Sequence, residues 1–349
     1  MGVHAIFRWI HAKSDGIKKH GIRNCENQKM LGSIAESRKK MKIQVLLSSY
    51  NGENYLEEQL DSILKQELPA GVELSILVRD DGSSDGTIGI LSRYAQEHPE
   101  EVSYFLGKNV GAIESFFHLV KSADTKADFF AFSDQDDIWH PKKVWRALTV
   151  LHREEKKEKK GFPMLYCCRP HLVDAQGKAL PAGIRHQKKR PDFGNALVEN
   201  IVYGCSMVVN KSLLFLVQAH IPEYTIMHDW WFYLTATAFG RVLYDDRQWF
   251  DYRQHGNNEM GTRNNYLDEF KERFFRFFKN RNRISQQLSE FLRLYGEELP
   301  KENRELVQKL LDGKKYLTVR GSLFLDKRIF RQRREDDLIF RLIYLTGSY

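Results

Sequence analysis

The run Phe130-Ala131-Phe132-Ser133 breaks off into Asp134-Gln135-Asp136-Asp137, so an apolar segment ends abruptly in three carboxylates. Continuous apolar runs suit strands buried on both faces, and aspartate is nearly always exposed unless it is paired or bound to a metal. Such a junction leaves few ways to fold. The strand must lie inside a sheet, and its carboxyl end must open on solvent or a ligand, as in the crevices of open α/β sheets. Asp134 and Asp136 stand two apart and point the same way if the segment stays extended. An oxygen pair of this kind suits a hard divalent cation.

The chain on either side has the matching periodicity. Lys42–Leu47 reads as a first strand, and Tyr55, Leu56, Gln59, Leu60, Ile63 and Leu64 make a helical stripe after it. Val72–Val78 is a second strand, ending in Arg79-Asp80-Asp81-Gly82-Ser83-Ser84-Asp85-Gly86-Thr87. A helix follows to Glu97, with Ser83 or Ser84 as its cap and Asp85 at its positive end. Val102–Leu106, a helix over Ile113–Ser122, the strand Asp128–Phe132 and a helix over Lys142–His152 continue the series. Strand–helix alternation of this kind predicts a doubly wound, mostly parallel α/β sheet. Met164–Cys168 and Tyr203–Val209 read as further strands, Met227–Phe239 as a helix, and everything from Asn264 onward as helical. The division expected is a basic extension over 1–40, a catalytic domain over 41–262 and a basic, Phe-rich helical region over 263–349.

Composition narrows the setting. The 349 residues are 42% hydrophobic, and no run of about 18 apolar residues suggests a membrane span. The first ten residues are too interrupted by His4 and Arg8 for a secretory signal. Cys25, Cys167, Cys168 and Cys205 have no ligand or framework spacing, which fits free thiols in a reducing cytoplasm. From Lys271 to Arg293, seven basic side chains stand against two acidic ones, interleaved with Phe274, Phe275, Phe277, Phe278 and Phe291. This pattern suggests that 264–293 meets an anionic membrane surface, or else packs its Phe stripe on the main domain. No nucleic-acid-binding signature accompanies it.

The chemistry is narrowed by absence and by pattern. G-x-G-x-x-G after the first strand and G-x-x-x-x-G-K-[ST] anywhere are both missing, which disfavours dinucleotide oxidoreduction and P-loop phosphoryl transfer. Asp81, beside a glycine at a strand end, can accept the N3–H of uracil or thymine, while Asp134 and Asp136 can hold a cation on a diphosphate. Asp229 lies between His228 and Trp230-Trp231, where partial desolvation raises a carboxyl's pKa and suits it to general-base work.

Val45-Leu46-Leu47-Ser48-Ser49-Tyr50-Asn51, Asp80–Thr87, Asn109-Val110-Gly111 and Asp134–Asp137 together resemble the family 2 glycosyltransferases of the GT-A fold. Tyr203-Gly204-Cys205-Ser206, His228-Asp229-Trp230-Trp231 and Tyr252–Asn258 resemble that family's bacterial rhamnosyltransferase-like branch, which builds cell-surface polysaccharides. The resemblance implies a donor pocket from Ser48, Tyr50, Glu53, Asp81, Asn109, Gly111 and Asp134. It implies a Mn2+ or Mg2+ site from Asp136 and Asp134, to which His255 is added as a further contact, and Asp229 as the base. Arg253-Gln254-His255 stands where processive synthases carry Q-x-x-R-W, so one sugar per binding event is expected. The implied donor is a dTDP- or UDP-sugar, and the implied acceptor a glycan or lipid-linked glycan. The enzyme would work in the cytoplasm, at the inner face of the cell membrane. A sugar nucleotidyltransferase and a non-catalytic basic docking protein are the rival expectations.

Overall fold

The computed structural model describes residues 40–181, 186–187, 189–255, 282–347 and 349. The expected extension (apart from Lys40), the 262/263 junction, Gly256–Asn258 and residues 264–281 of the Phe-rich segment lie outside them.

The first strand, β1 (Met41–Ser49), is followed by helix α1 (Leu56–Leu64), which buries Leu56, Gln59, Leu60 and Ile63. Then come β2 (Val72–Asp80), α2 (Thr87–Glu97), β3 (Val102–Leu106), α3 (Ala112–Ser122) and β4 (Phe129–Ser133). Every residue of β4 is buried, as its apolar run demands. A short β5 (Ile138–Trp139) leads into α4 (Lys143–Glu155) and the long β6 (Met164–Val173). Next are β7 (Val208–Asn210), α5 (Lys211–Ala219), α6 (His228–Phe239) and β8 (Arg241–Arg253). The chain closes with α7 (Arg283–Tyr295), α8 (Lys301–Asp312), α9 (Leu317–Phe324) and α10 (Arg334–Thr346).

The strands form one sheet in the order β3-β2-β1-β4-β7-β6-β8-β5. Pairing is parallel from β3 to β4 and between β6 and β8, and antiparallel where β7 and β5 join. The α/β fold class expected from the alternation is therefore present. The order reverses between β1 and β4, which is where such sheets hold ligands. Register brings the carboxyl ends into line: Ser49 pairs with Asp80, Leu47 with Ser133, and Asp80 with Leu106.

Two expectations fail locally. Tyr203–Val209 is not one strand, because Gly204–Ser206 forms a 3-10 turn before β7 begins. A β-carbon at Gly204 would lie 2.7 Å from His228 Nε2, so the turn fits only by closing tightly on the start of α6. The helix α2 does not use a serine cap: Asp85 accepts the Thr87 N–H (3.0 Å) and Glu53 accepts the Gly86 N–H (2.7 Å).

Apolar side chains fill both faces of the sheet. Ile284, Leu288, Phe291 and Tyr295 of α7 share one of these clusters with Trp231 and Phe232 of α6, and the Phe291 and Trp231 rings meet edge-on at 5.4 Å. Within 264–293, Phe291 is thus spent on packing. No helix among the described residues is long and apolar enough to cross a membrane.

Candidate active site

The loops after β1 and β2 are bound to each other before any ligand is considered. Asn51, in the left-handed region (φ 48°), accepts the Ser84 N–H through its side chain (2.9 Å), and its own N–H meets Ser83 Oγ (2.9 Å). The Gly52 N–H donates to Thr87 Oγ1 (2.8 Å), and the Glu53 N–H to Asp85 (3.1 Å). Of the residues expected to line the donor pocket, Glu53 braces this loop pair and Tyr50 is exposed at its rim. Ser48 Oγ lies 2.6 Å from Ser115 Oγ, which accepts from Arg79 (2.9 Å).

Asp81 is buried. Its Oδ1 takes the Arg79 guanidinium at 2.5 Å and the Val110 N–H at 2.9 Å, and its Oδ2 takes the Gly111 N–H at 2.9 Å. The structure therefore joins Asp81 to the Asn109–Gly111 loop, with the Asn109 backbone packed over Gly82. Glycine is required at 82 and 111, where φ is +83°.

At the end of β4 the chain bends instead of staying extended, and the two carboxylates of the acidic pair take different neighbours. Asp136 Oδ2 meets His255 Nε2 at 2.7 Å, and the His255 ring stacks on Tyr55 with centroids 4.9 Å apart. Ligand atoms of Asp134, Asp137 and Cys205 lie within 4.8 Å of one another. Asp137 is fully buried; burial, then the charges of Asp136 and Asp134, push its carboxyl well above the usual range. Behind it, burial lowers the Lys143 ammonium to about 8, and its Nζ sits 3.2 Å over the Trp139 ring.

Asp229 opens α6, where burial pushes its carboxyl up to about 7 despite hydrogen bonds from the Trp230 N–H and Asn200. The adjacent His228, stacked on Phe116 at 3.9 Å, is held neutral by burial, its pKa lowered to about 3. Gly204 packs on His228 and Asp229, while its neighbour Cys205 faces Asp134 and Asp137. One tight turn thus touches both acidic groups.

Two structural residues escaped the sequence reading. Gln135 clamps the β1 loop, accepting from Ser49 Oγ (2.9 Å) and the Tyr50 N–H (2.7 Å) and donating to the Tyr50 carbonyl (2.9 Å). Arg253, buried at the end of β8, donates to the carbonyls of Asp136 (2.9 Å) and Ala175 (2.8 Å) and to Glu58 (2.5 Å). An arginine within a motif was the only sequence signal for the second; nothing signalled the first.

The sequence profile of the family described as Glycosyl transferase family 2 matches residues 44–157, the segment that supplies every loop from β1 through the acidic turn. The chain carries a family 2 glycosyltransferase domain. This glycosyltransferase is also 29% identical over 235 residues to a dTDP-rhamnosyl transferase, RfbG, of Shigella flexneri, covering 64% of this chain and 77% of the relative. An uncharacterized glycosyltransferase of Rickettsia typhi is 25% identical over 244 residues, 68% of this chain and 71% of that one. Among solved structures, S. aureus TarS 1-349 in complex with UDP-GlcNAc superposes with a TM-score of 0.52 at 16% identity, over 88% of this chain and 93% of that one. That likeness is one of fold, and it agrees with the GT-A architecture.

Proposed function

We propose that this glycosyltransferase moves one sugar per binding event from a dTDP- or UDP-sugar to a hydroxyl of a cell-surface polysaccharide precursor, carried on a lipid, at the cytoplasmic face of the membrane. The similarity to a dTDP-rhamnosyl transferase makes dTDP-rhamnose the first donor to test. The observation that carries the reading is the 203–206 turn, which sets a buried carboxyl titrating near pH 7 beside the acidic strand end.

Asp229, once ionised, takes the proton of the acceptor hydroxyl as that oxygen attacks the anomeric carbon. The bond from that carbon to the diphosphate oxygen breaks in the same displacement. One base, with no carboxylate among the described residues given the part of a second nucleophile, fits inversion. The donor set at the acidic turn fits a hard cation: Asp136 Oδ2 meets the His255 imidazole, and carboxylate oxygens of Asp134 and Asp137 lie within 4.8 Å of each other. Asp134, Asp136 and His255 would hold Mn2+ or Mg2+, which when bound supplies charge to a departing diphosphate. Asp81 would read the base by exchanging a loop amide, Val110 or Gly111, for the N3–H of the pyrimidine. Ser48, Tyr50, Glu53, Asn109 and Gly111 would complete the nucleoside pocket.

Titration calorimetry with dTDP, UDP and GDP, each with and without Mn2+, tests this. Metal-dependent binding of dTDP or UDP but not GDP is expected; failure of all three overturns it. In Asp136→Asn the metal dependence of nucleotide binding should vanish, and unchanged metal-linked affinity would remove Asp136 from the ligand set.

A further inference from the structure

The most exposed large apolar side chains among the described residues fall into two groups. Tyr50, Leu106 and Val110 rim the candidate active site, and the other six belong to the α9–α10 hairpin. On α9, Leu317 (72% exposed), Gly321 and Leu325 (76%) recur every four residues, and a β-carbon at Gly321 would meet nothing. On α10, Leu338 (54%), Leu342 (50%) and Leu345 recur at helical spacing, opposite a buried stripe of Ile339, Phe340, Ile343 and Tyr344.

Both rows flank arginines that tie the two helices together, Arg320 on α9 and Arg341 on α10. Arg320 of α9 reaches the Leu345 carbonyl (3.3 Å), and Arg341 of α10 reaches the carbonyls of Phe324 and Asp326 at the far end of α9. The helices are therefore antiparallel neighbours, with the Leu325 end of α9 beside Arg341 and the Arg320 turn beside Leu345. From Lys314 to Tyr349 the chain carries nine basic side chains against four acidic ones, and Lys315, Lys327, Arg328 and Arg334 are exposed. Contiguous exposed leucines mark an interaction surface, and a cationic surround selects an anionic partner.

We propose that the paired outer faces of α9 and α10 dock this protein on an anionic lipid bilayer, leucines in the acyl boundary and arginines and lysines among the headgroups. This surface differs from the Phe-rich segment over 264–293 and stands without the transfer chemistry, since binding is read with no nucleotide present.

The test is flotation of the full chain with phosphatidylcholine vesicles, with and without phosphatidylglycerol, comparing wild type with Leu338→Glu/Leu342→Glu. Wild type should float with the anionic vesicles, less so as salt is raised, and the variant should lose affinity by about tenfold or more. Its thermal transition and dTDP or UDP binding should match wild type, because both leucines are exposed and lie outside the site. Three outcomes overturn the proposal. One is no binding by wild type; another is equal binding by a folded variant. The third is a lipid-free dimer that the variant dissociates, which would assign the leucines to a second copy of the chain.

Discussion

The carboxylates at the carboxyl edge of the sheet are treated in two opposite ways. Around the ends of β1 and β2, Asp80, Asp81 and Asp85 each collect backbone N–H groups, and Asp81 adds a buried guanidinium. Past β4 and at the start of α6, Asp137 and Asp229 are buried deeply enough that desolvation raises both. The first group is committed to holding loops in shape. Burial disfavours the charged form of the second, and Asp229, pushed up to about 7, is the member whose proton moves at little cost near neutral pH. The aspartates that build the loops are thus a different set from those whose charge burial disfavours.

Asp229→Asn breaks the comparison most severely: transfer should fall by about 10²–10⁴-fold while dTDP or UDP still binds, measured as sugar transfer alongside calorimetry. Transfer at the wild-type rate would move Asp229 into the committed group. Asp81→Asn should act on the fold as well as on donor binding, because Arg79 keeps its charge in a buried place; a loss of about 3–5 kcal/mol in urea unfolding is expected. Stability equal to wild type would show that Asp81 is not committed.

The third prediction concerns pH. Unfolded, the Asp229 carboxyl titrates near 3.8, and folded near 7, so the folded chain holds the proton more tightly. Wild-type stability should therefore fall, relative to Asp229→Asn, as pH rises through that window, with a gap of up to about 4 kcal/mol above it. The gap should close towards pH 4, and wild-type transfer should lose rate below about pH 7. Parallel unfolding curves at all pH values would contradict the raised carboxyl. Gln135→Ala should have the smallest effect: about 1–2 kcal/mol of stability and a few-fold weaker donor binding, from three lost hydrogen bonds at one loop.

The contrast between the two groups was only half legible in the chain. The central strands announced themselves, since β4 and the middle of β2 are apolar runs between turn residues. The strand β8 did not: its centre carries the charged run Asp245-Asp246-Arg247, and no strand was expected there. The structure carries the strand through with a register shift, from Cys168 opposite Asp245 to Arg169 opposite Gln248, and Asp245 pairs with Arg146 of α4 (2.6 Å) and with Arg247 (3.0 Å), a tertiary arrangement that no local pattern carries. The same holds at Asp134 and Asp136, where the spacing favours parallel carboxylates. The bend at Gln135 sends them to different neighbours far along the chain, Cys205 for one and His255 for the other. The raised Asp229 was foreseeable in direction from its aromatic neighbours, whereas the turn that brings it to the acidic strand end was not.

Arg253 carries a consequence for how the enzyme is made. Its guanidinium is the common tether of α1, the acidic turn and the turn after β6, and His255 follows two residues later onto Asp136. On the ribosome, the first four strands emerge long before either side chain exists. The acidic turn therefore waits, without its clamps, until the end of β8 has been synthesised. A chain arrested before Arg253 holds most of the sheet but leaves the acidic turn without these contacts.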